Sequence, residues 1–125
     1  MLDERKVLQL PEQRYALVRE INLRCADTPW VYGRSIIPAY TLSGREQQLY
    51  NWGQRSLGDY LFAAGRAQRV AIDVCVLNAT AELFRLARVQ QSGKVWARRS
   101  LFYVSYKPLL VVEVFFPELI ERLTR

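Results

Sequence analysis

Apolar and polar positions alternate near the start of the chain, from Arg14 to Cys25. A period of two predicts a β-strand, because successive side chains of a strand point to opposite faces of the sheet. Asp27-Thr28-Pro29 has the composition of a turn, and a second apolar segment, Trp30 to Ile37, stops before Pro38. Together these features predict an antiparallel hairpin of two strands.

The middle of the chain carries helical patterns. Arg45 to Tyr50 follows a pair, Ser43 and Glu46, at the spacing of a capping box, and Ser56 to Phe62 is a second short helical candidate. A longer helix is predicted from Asn78 to about Val89, where the apolar residues recur at helical spacing.

Three more strands are predicted in the second half of the chain. They are Val70 to Leu77, Val95 to Ser105 and Leu109 to Phe116, and the last two form a hairpin around Tyr106-Lys107-Pro108. Pro117 then begins a short terminal helix. Five strands in hairpins with helices between them predict an α+β fold, a single antiparallel β-sheet with helices packed on one face.

Composition supports one folded unit. The chain has 125 residues, 50% of them apolar and 24% charged, which are globular proportions with room for one core. We therefore expect a single domain over residues 1–125. The net charge of +6 favours anionic partners and leaves nucleic acid, a membrane surface and small carboxylates open.

The residue types restrict the chemistry. The chain contains no His, which excludes His-based catalytic triads and His-containing zinc sites. Cys25 and Cys75 lie far apart without a CxxC spacing, so we expect buried thiols in a reducing compartment. The first residues lack the apolar core of a signal peptide, and no apolar segment is long enough to span a membrane. These features predict a cytoplasmic protein without stable membrane insertion.

Three charged residues fall on apolar sides of the predicted strands: Arg19, Arg34 and Glu113. A buried charge must be paired, neutralised or placed beside a cavity. One interpretation is a structural Arg19–Glu113 ion pair. The other is an enclosed polar pocket lined by both arginines and the glutamate, in which an anionic ligand such as a carboxylate balances the charge.

Other features admit two interpretations each. Arg98-Arg99 is either a solvated strand end or an anion contact near the mouth of the pocket. Aromatic residues interleave with basic ones, which fits core packing and also occurs in proteins that bind single-stranded nucleic acid. The glycines do not have the spacing of a P-loop or a Rossmann turn.

A series of short motifs resembles a known family. The motifs are, in order, Arg19-Glu20-Ile21, Cys25-Ala26-Asp27, Pro29-Trp30, Gly33-Arg34 with Pro38, Thr41-Leu42-Ser43-Gly44, Leu57-Gly58 with Tyr60-Leu61-Phe62, Arg98-Arg99-Ser100, and Lys107-Pro108-Leu109-Leu110 with Glu113 and Phe116-Pro117. They span Arg14 to Pro117, and the chain resembles chorismate lyase, the chorismate–pyruvate lyase family of bacterial ubiquinone biosynthesis.

The resemblance implies a function and a site. The family eliminates pyruvate from chorismate to give 4-hydroxybenzoate, a carbon–oxygen lyase reaction without metal or organic cofactor. Carried over, Arg19 would bind the ring carboxylate with help from the backbone N–H of Leu57. Glu113 would meet the ring hydroxyl, and Arg34 would supply the second positive charge. Glu113 and Arg34 are then the candidate catalytic residues, and chorismate and 4-hydroxybenzoate are the expected ligands of a monomer.

The chain departs from the family at two places. Family members carry an N-terminal helical segment that covers the pocket, and the residues here begin after it, so we expect this lid to be absent. An open site admits water and weakens electrostatic contacts, which counts against turnover by the shortened chain. The second departure is a set of extra residues between about Asn78 and Lys94.

Two other functions compete with a lyase. One is a non-catalytic module of the same fold that binds a small carboxylate, of the type found as effector-binding domains in bacterial transcription regulators. The other is a basic RNA-binding domain, which would need exposed aromatic residues beside the arginines. Because the chain has no DNA-binding segment and its aromatic residues lie within apolar strands, we expect the lyase and no nucleic-acid partner.

Overall fold

Five strands form one sheet in the computed structural model, which describes residues 15–63, 67–77, 87 and 94–119. The strands are β1 (Ala16–Cys25), β2 (Thr28–Pro38), β3 (Ala67–Leu77), β4 (Val95–Val104) and β5 (Lys107–Phe115). Their order across the sheet is β1-β2-β5-β4-β3, and every neighbouring pair is antiparallel. The predicted hairpins β1–β2 and β4–β5 are therefore both present.

Most of the described helical residues lie between β2 and β3. They form 3₁₀ segments at Ala39–Thr41 and Gly44–Asn51 and one α-helix, α1 (Leu57–Leu61). The predicted helix from Asn78 to Val89 falls outside the described residues except at Ala87. Residues 117–119 are helical, in agreement with the helix predicted from Pro117.

The strand register defines two faces of the sheet, since residues directly opposite each other in antiparallel strands point to the same side. The first face carries Arg19 of β1, opposite Ser35 of β2, which lies opposite Val111 of β5. The second face carries their sequence neighbours, including Arg34 and Val112. This division decides which of the predicted site residues can meet.

Apolar residues of the helical segment cover part of the first face. A buried cluster joins three groups: Leu42, Leu49 and Trp52 of the 3₁₀ region, Leu57, Tyr60 and Leu61 of α1, and Ile37, Phe102, Val104 and Leu109 of the sheet. The Thr41 hydroxyl donates to the carbonyl of Pro108 at 2.8 Å and ties the segment to β5. The helices thus pack on one face, as predicted.

The second face is also buried. Its cluster contains Tyr32, Ile36, Val112 and Val114 of the two central strands, together with Ala97 and Ala87. Arg99, on the same face, pairs with Asp73 at 2.6 Å. Both faces of the central strands therefore contribute to the core, which explains why β5 is apolar at successive positions.

The β4–β5 hairpin turns at Ser105 and Tyr106, two residues with positive φ angles of 49° and 64°. A two-residue turn of this kind matches the twist of the strands, and it pairs Val104 with Lys107. The turn predicted around Tyr106-Lys107-Pro108 is therefore misplaced, and Pro108 belongs to β5.

The predicted capping box at Ser43 and Glu46 does not form. Ser43 precedes the 3₁₀ segment, but its hydroxyl donates to the carbonyl of Tyr40. Glu46 is fully buried instead, and its carboxylate accepts hydrogen bonds from Tyr60 and Ser105 and pairs with Lys107 at 2.8 Å. This polar cluster joins the 3₁₀ segment, α1 and the β4–β5 hairpin.

The cysteine prediction is wrong for Cys25, which is exposed, while Cys75 is half-buried and both are free thiols. Cys25 is the last residue of β1 and lies at the turn, where the sheet is no longer covered. Among residues 15–63, 67–77, 87 and 94–119, no helix is long and apolar enough to cross a membrane. Nor do three Cys, Asp or Glu side chains of these residues meet to form a metal site.

Candidate active site

Two predicted site residues, Arg19 and Glu113, share the first face of the sheet. Between them lie two small residues of β2, Gly33 and Ser35, which form the floor of the candidate site. Gly33 of β2 lies opposite Glu113 of β5, and Ser35 lies opposite Arg19 of β1. Arg19 and Glu113 are therefore two interstrand spacings apart, about 10 Å across the sheet, and are also offset by two residues along the strand direction. A Cβ atom built on Gly33 would lie only 3.2 Å from the Ile21 side chain, so the floor is tightly packed here.

Arg19 holds the loop that precedes α1. Its Nη2 donates to the carbonyls of Gly53 and Arg55, at 2.9 Å each. In the part of the chain that the structure describes, these contacts occupy Nη2 alone, so other donors of the guanidinium stay available. Burial lowers the pKa of Arg19 from its ordinary value, yet an arginine stays charged near neutral pH.

The loop under Arg19 is itself fixed by Trp52. The indole Nε1 donates to the carbonyl of Ser56 at 2.9 Å, and the Arg55 guanidinium stacks 3.6 Å from the centre of the ring. Because Ser56 precedes α1, these contacts bring the Arg19 guanidinium to the region where Leu57 begins the helix. The structure thus places Arg19 and the Leu57 backbone in one neighbourhood.

Glu113 pairs with Arg98, not with Arg19. Nε and Nη2 of Arg98 donate to Oε1 of Glu113 at 2.9 and 2.7 Å, and the side chain of Glu113 is 24% exposed. The proposed structural Arg19–Glu113 pair is therefore wrong, because each residue has another partner. The described bonds to Glu113 all end on Oε1, which leaves Oε2 as its second acceptor.

Arg34 does not join Arg19 and Glu113. It lies on the second face, where Nη1 is 3.5 Å from Oε1 of Glu20. The Tyr32 hydroxyl donates to the other oxygen of Glu20 at 2.9 Å, and burial together with this bond raises the pKa of Tyr32 to about 12. The predicted pocket lined by Arg19, Arg34 and Glu113 is therefore wrong. Arg34 directly precedes Ser35 in β2, so its side chain points to the opposite face of the sheet.

Arg98 is the site neighbour that sequence reasoning did not assign to Glu113. The two arginines of Arg98-Arg99 point to opposite faces, and their side chains are 33% and 8% exposed. Cross-strand pairing in the β4–β5 hairpin puts Arg98 directly opposite Glu113. The Arg98–Glu113 contact follows from the position of the β4–β5 turn, which the sequence pattern placed too late in the chain.

Comparison of the amino-acid sequence with known proteins identifies the family of this chain. The family model described as chorismate lyase matches residues 1–124. The chain belongs to the chorismate lyase family. A protein from Nitrosomonas europaea named probable chorismate pyruvate-lyase is 41% identical over 119 residues, covering 93% of this chain and 67% of that protein. The predicted family and the lyase class that it implies are confirmed.

Other relatives agree. A probable chorismate pyruvate-lyase from Coxiella burnetii is 38% identical, with 94% of this chain and 64% of that protein aligned. A chorismate pyruvate-lyase from Hamiltonella defensa is 39% identical, with 92% and 56% aligned. The chain thus spans about two thirds, or somewhat less, of the length of these three chorismate lyase relatives.

Solved structures confirm the fold class. The ligand-binding domain of a GntR-family transcriptional regulator from Bordetella bronchiseptica aligns with a TM-score of 0.59 and 16% identity, over 91% of this chain and 74% of that one. A GntR-family regulator from Enterococcus faecalis aligns with a TM-score of 0.60 and 16% identity, over 92% and 84%. At this identity, the likeness of these structures to this chain concerns the fold alone.

Proposed function

We propose that this chain binds chorismate on the first face of the sheet and eliminates pyruvate from it, releasing 4-hydroxybenzoate. The placement of a cation, Arg19, and a carboxylate, Glu113, at opposite ends of a floor of small residues supports this function most directly. A benzoate with a para hydroxyl has the matching polarity, an anionic group at one end of a flat ring and a hydroxyl at the other.

Arg19 receives the ring carboxylate. Its Nη2 is held by two carbonyls of the loop before α1, so the guanidinium is oriented before a ligand arrives. An oriented guanidinium loses little side-chain entropy when its remaining donors, on Nε and Nη1, contact a carboxylate. The backbone N–H of Leu57, in the same neighbourhood, supplies a further donor in this proposal.

Glu113 takes the hydroxyl end. Arg98 engages its Oε1, so Oε2 is the oxygen that accepts a hydrogen bond from the ring hydroxyl. A carboxylate is the form of a glutamate side chain that can act as a base. Glu113 is thereby both a binding and a candidate catalytic residue.

The reaction needs only a proton transfer and a bond cleavage. The hydrogen on the hydroxyl-bearing ring carbon leaves as a proton, its electron pair completes the aromatic ring, and the neighbouring carbon–oxygen bond breaks to release enolpyruvate. Enolpyruvate takes up a proton and becomes pyruvate. The first proton passes either to Glu113 or directly to the departing group, and both routes are accelerated by fixed charges around a held substrate.

Arg34 has an indirect role in this proposal. Its partner Glu20 lies on the second face of the sheet, and Arg34 shares β2 with Gly33 and Ser35 of the floor. It therefore acts as a positioning residue through the strand. The cytoplasm as the compartment, the monomeric state and the place in ubiquinone biosynthesis are parts of the same proposal.

Incubation with chorismate tests the proposed function. We expect release of 4-hydroxybenzoate, followed by absorbance, and stabilisation of the folded chain by 4-hydroxybenzoate in a thermal melt. Binding of 4-hydroxybenzoate without release would favour the non-catalytic carboxylate-binding module. Tight binding of single-stranded RNA at physiological salt, with no effect of 4-hydroxybenzoate on the melt, would contradict the site altogether.

Arg19→Lys is expected to weaken binding of 4-hydroxybenzoate by about 1.5 to 3 kcal/mol, because lysine keeps the charge but lacks the planar fork. Calorimetric titration measures the change. Arg24→Lys is the matched control, since Arg24 is exposed and its described contact is with the carbonyl of Asp27 at the hairpin turn. Equal affinities in wild type and Arg19→Lys would make Arg19 a purely structural residue.

A further inference from the structure

Arg98 presents two different edges on the first face. Its Nε and Nη2 atoms donate to Oε1 of Glu113. A guanidinium has five N–H donors, so the edge formed by Nη1 and the second hydrogen of Nη2 is left by these contacts as a fork for another acceptor. The side chain is partly exposed, which lets a ligand reach that edge. Arg98 can therefore hold Glu113 and bind a second carboxylate at the same time.

The substrate of the proposed reaction supplies that second carboxylate. In chorismate the hydroxyl and the enolpyruvyl ether occupy neighbouring ring carbons, and the ring carboxylate lies at the far end. With the ring carboxylate on Arg19 and the hydroxyl at Glu113, the ether carboxylate falls beside Glu113. Resting on the function proposed above, we propose that Arg98 binds the enolpyruvyl carboxylate and makes the site specific for a dicarboxylate.

Charge balance requires a cation at this place. Glu113 would repel a carboxylate brought next to it, and Arg34, the second cation expected from sequence, lies on the other face. Arg98 neutralises Glu113 and offers a two-point contact with an anion. As the carbon–oxygen bond breaks, negative charge moves onto the enolpyruvyl group, and a cation already bound to that group stabilises the charge.

The surroundings of Arg98 keep it oriented. The guanidinium lies 5.5 Å from the centre of the Phe115 ring, and the β4–β5 register fixes Arg98 opposite Glu113. An arginine held by an aromatic ring and a carboxylate has fewer rotamers to lose when a ligand binds. The second carboxylate site is thus built into the hairpin.

Two stable aromatic analogues test the assignment. One is 3-(carboxymethoxy)-4-hydroxybenzoate, which carries both carboxylates and the hydroxyl. The other is 3-(carbamoylmethoxy)-4-hydroxybenzoate, in which a neutral amide replaces the ether carboxylate. Calorimetry measures both affinities in wild type, Arg98→Gln and Arg98→Lys. Arg69→Gln is the charge-matched control, because Arg69 stacks on Phe102 in another part of the sheet.

Wild type is expected to prefer the dicarboxylate by about tenfold or more, as for a hydrogen bond between charged groups. Arg98→Gln should abolish this preference while its affinity for the amide changes by less than about threefold. Arg98→Lys should retain part of the preference, since the charge stays and the fork is lost. Arg69→Gln should retain all of it.

Several outcomes would overturn the assignment. If Arg98→Gln kept the full preference for the dicarboxylate, another group would bind the ether carboxylate. If the variant lost affinity for both analogues equally, Arg98 would have a purely structural role. If folded wild type bound neither analogue nor 4-hydroxybenzoate, the proposed function would fail as well. If wild type converted chorismate and Arg98→Gln kept its preference, only the role of Arg98 would fall.

Discussion

Glu113→Gln is expected to lower the rate of 4-hydroxybenzoate release by about tenfold or more. Loss of a proton-transfer group typically lowers a rate by about 10² to 10⁴. The loss is smaller if the proton passes directly to the departing group. Glutamine keeps the shape and can still contact the ring hydroxyl, but it has neither the charge nor the basicity of glutamate. Initial rates for the variant and wild type measure the effect. Wild-type rates in a well-folded variant would remove Glu113 from the catalytic site.

Stability should change much less than rate in Glu113→Gln. The side chain of its partner, Arg98, is 33% exposed, so water can solvate the guanidinium when the carboxylate is lost. We expect a loss of about 1 kcal/mol, typical of a partly exposed ion pair, in a denaturant melt. A loss of about 3 to 5 kcal/mol would instead indicate a buried structural pair.

Asp73→Asn is the matched control for this experiment. Asp73 also pairs with an arginine across neighbouring strands, but the pair lies on the second face of the sheet. The variant removes the same charge and breaks a similar contact. It should leave the rate of 4-hydroxybenzoate release unchanged, which would separate an effect at the site from a general effect of lost ion pairs.

The strands, and the positions of Arg19 and Glu113 on apolar sides of them, could be predicted from sequence because both depend on local periodicity. Alternation in β1 and the apolar run of β5 set these strands, and a charge on an apolar side stands out against such a pattern. The helical segments were harder to predict. Glu46 sits at capping-box spacing, yet three partners distant in sequence draw its carboxylate into the core.

The partner of Glu113 and the face of Arg34 depend on register, which local patterns do not determine. Moving the β4–β5 turn by one or two residues changes which β4 residue lies opposite Glu113, and a shift of one residue reverses the face of a side chain. Ser105 and Tyr106 hold positive φ angles without glycine, so the turn carries none of the usual sequence signals. Local patterns therefore do not pair Arg98 with Glu113, and they do not show that Arg34 and Arg19 lie on opposite faces of the sheet.

Glu46→Ala is expected to cost about 3 kcal/mol of folding stability, the lower end of the range for breaking a buried ion pair. Glu46 is fully buried, and its loss leaves Tyr60 and Lys107 without their carboxylate partner. The cost stays at the lower end because Lys107 also donates to the carbonyl of Ser43 at 2.7 Å. Asp59→Ala, at an exposed position of α1, should cost less than about 1 kcal/mol.

The contribution of Glu46 should also depend on pH. Burial alone would raise the pKa of Glu46, but the hydrogen bonds from Lys107 and Tyr60 and the charge of Lys107 outweigh it, so the pKa is lowered. The native state then binds this proton less tightly than the unfolded chain, whose glutamate pKa is about 4.3. The stabilisation is complete above that value and is lost as pH falls through the lowered native pKa. Denaturant melts of wild type and Glu46→Ala from neutral to acidic pH measure this effect, and the two free energies of unfolding should converge below about pH 4. A difference in unfolding free energy that stays constant with pH would show that the ionised carboxylate does not join the helical segment to the hairpin.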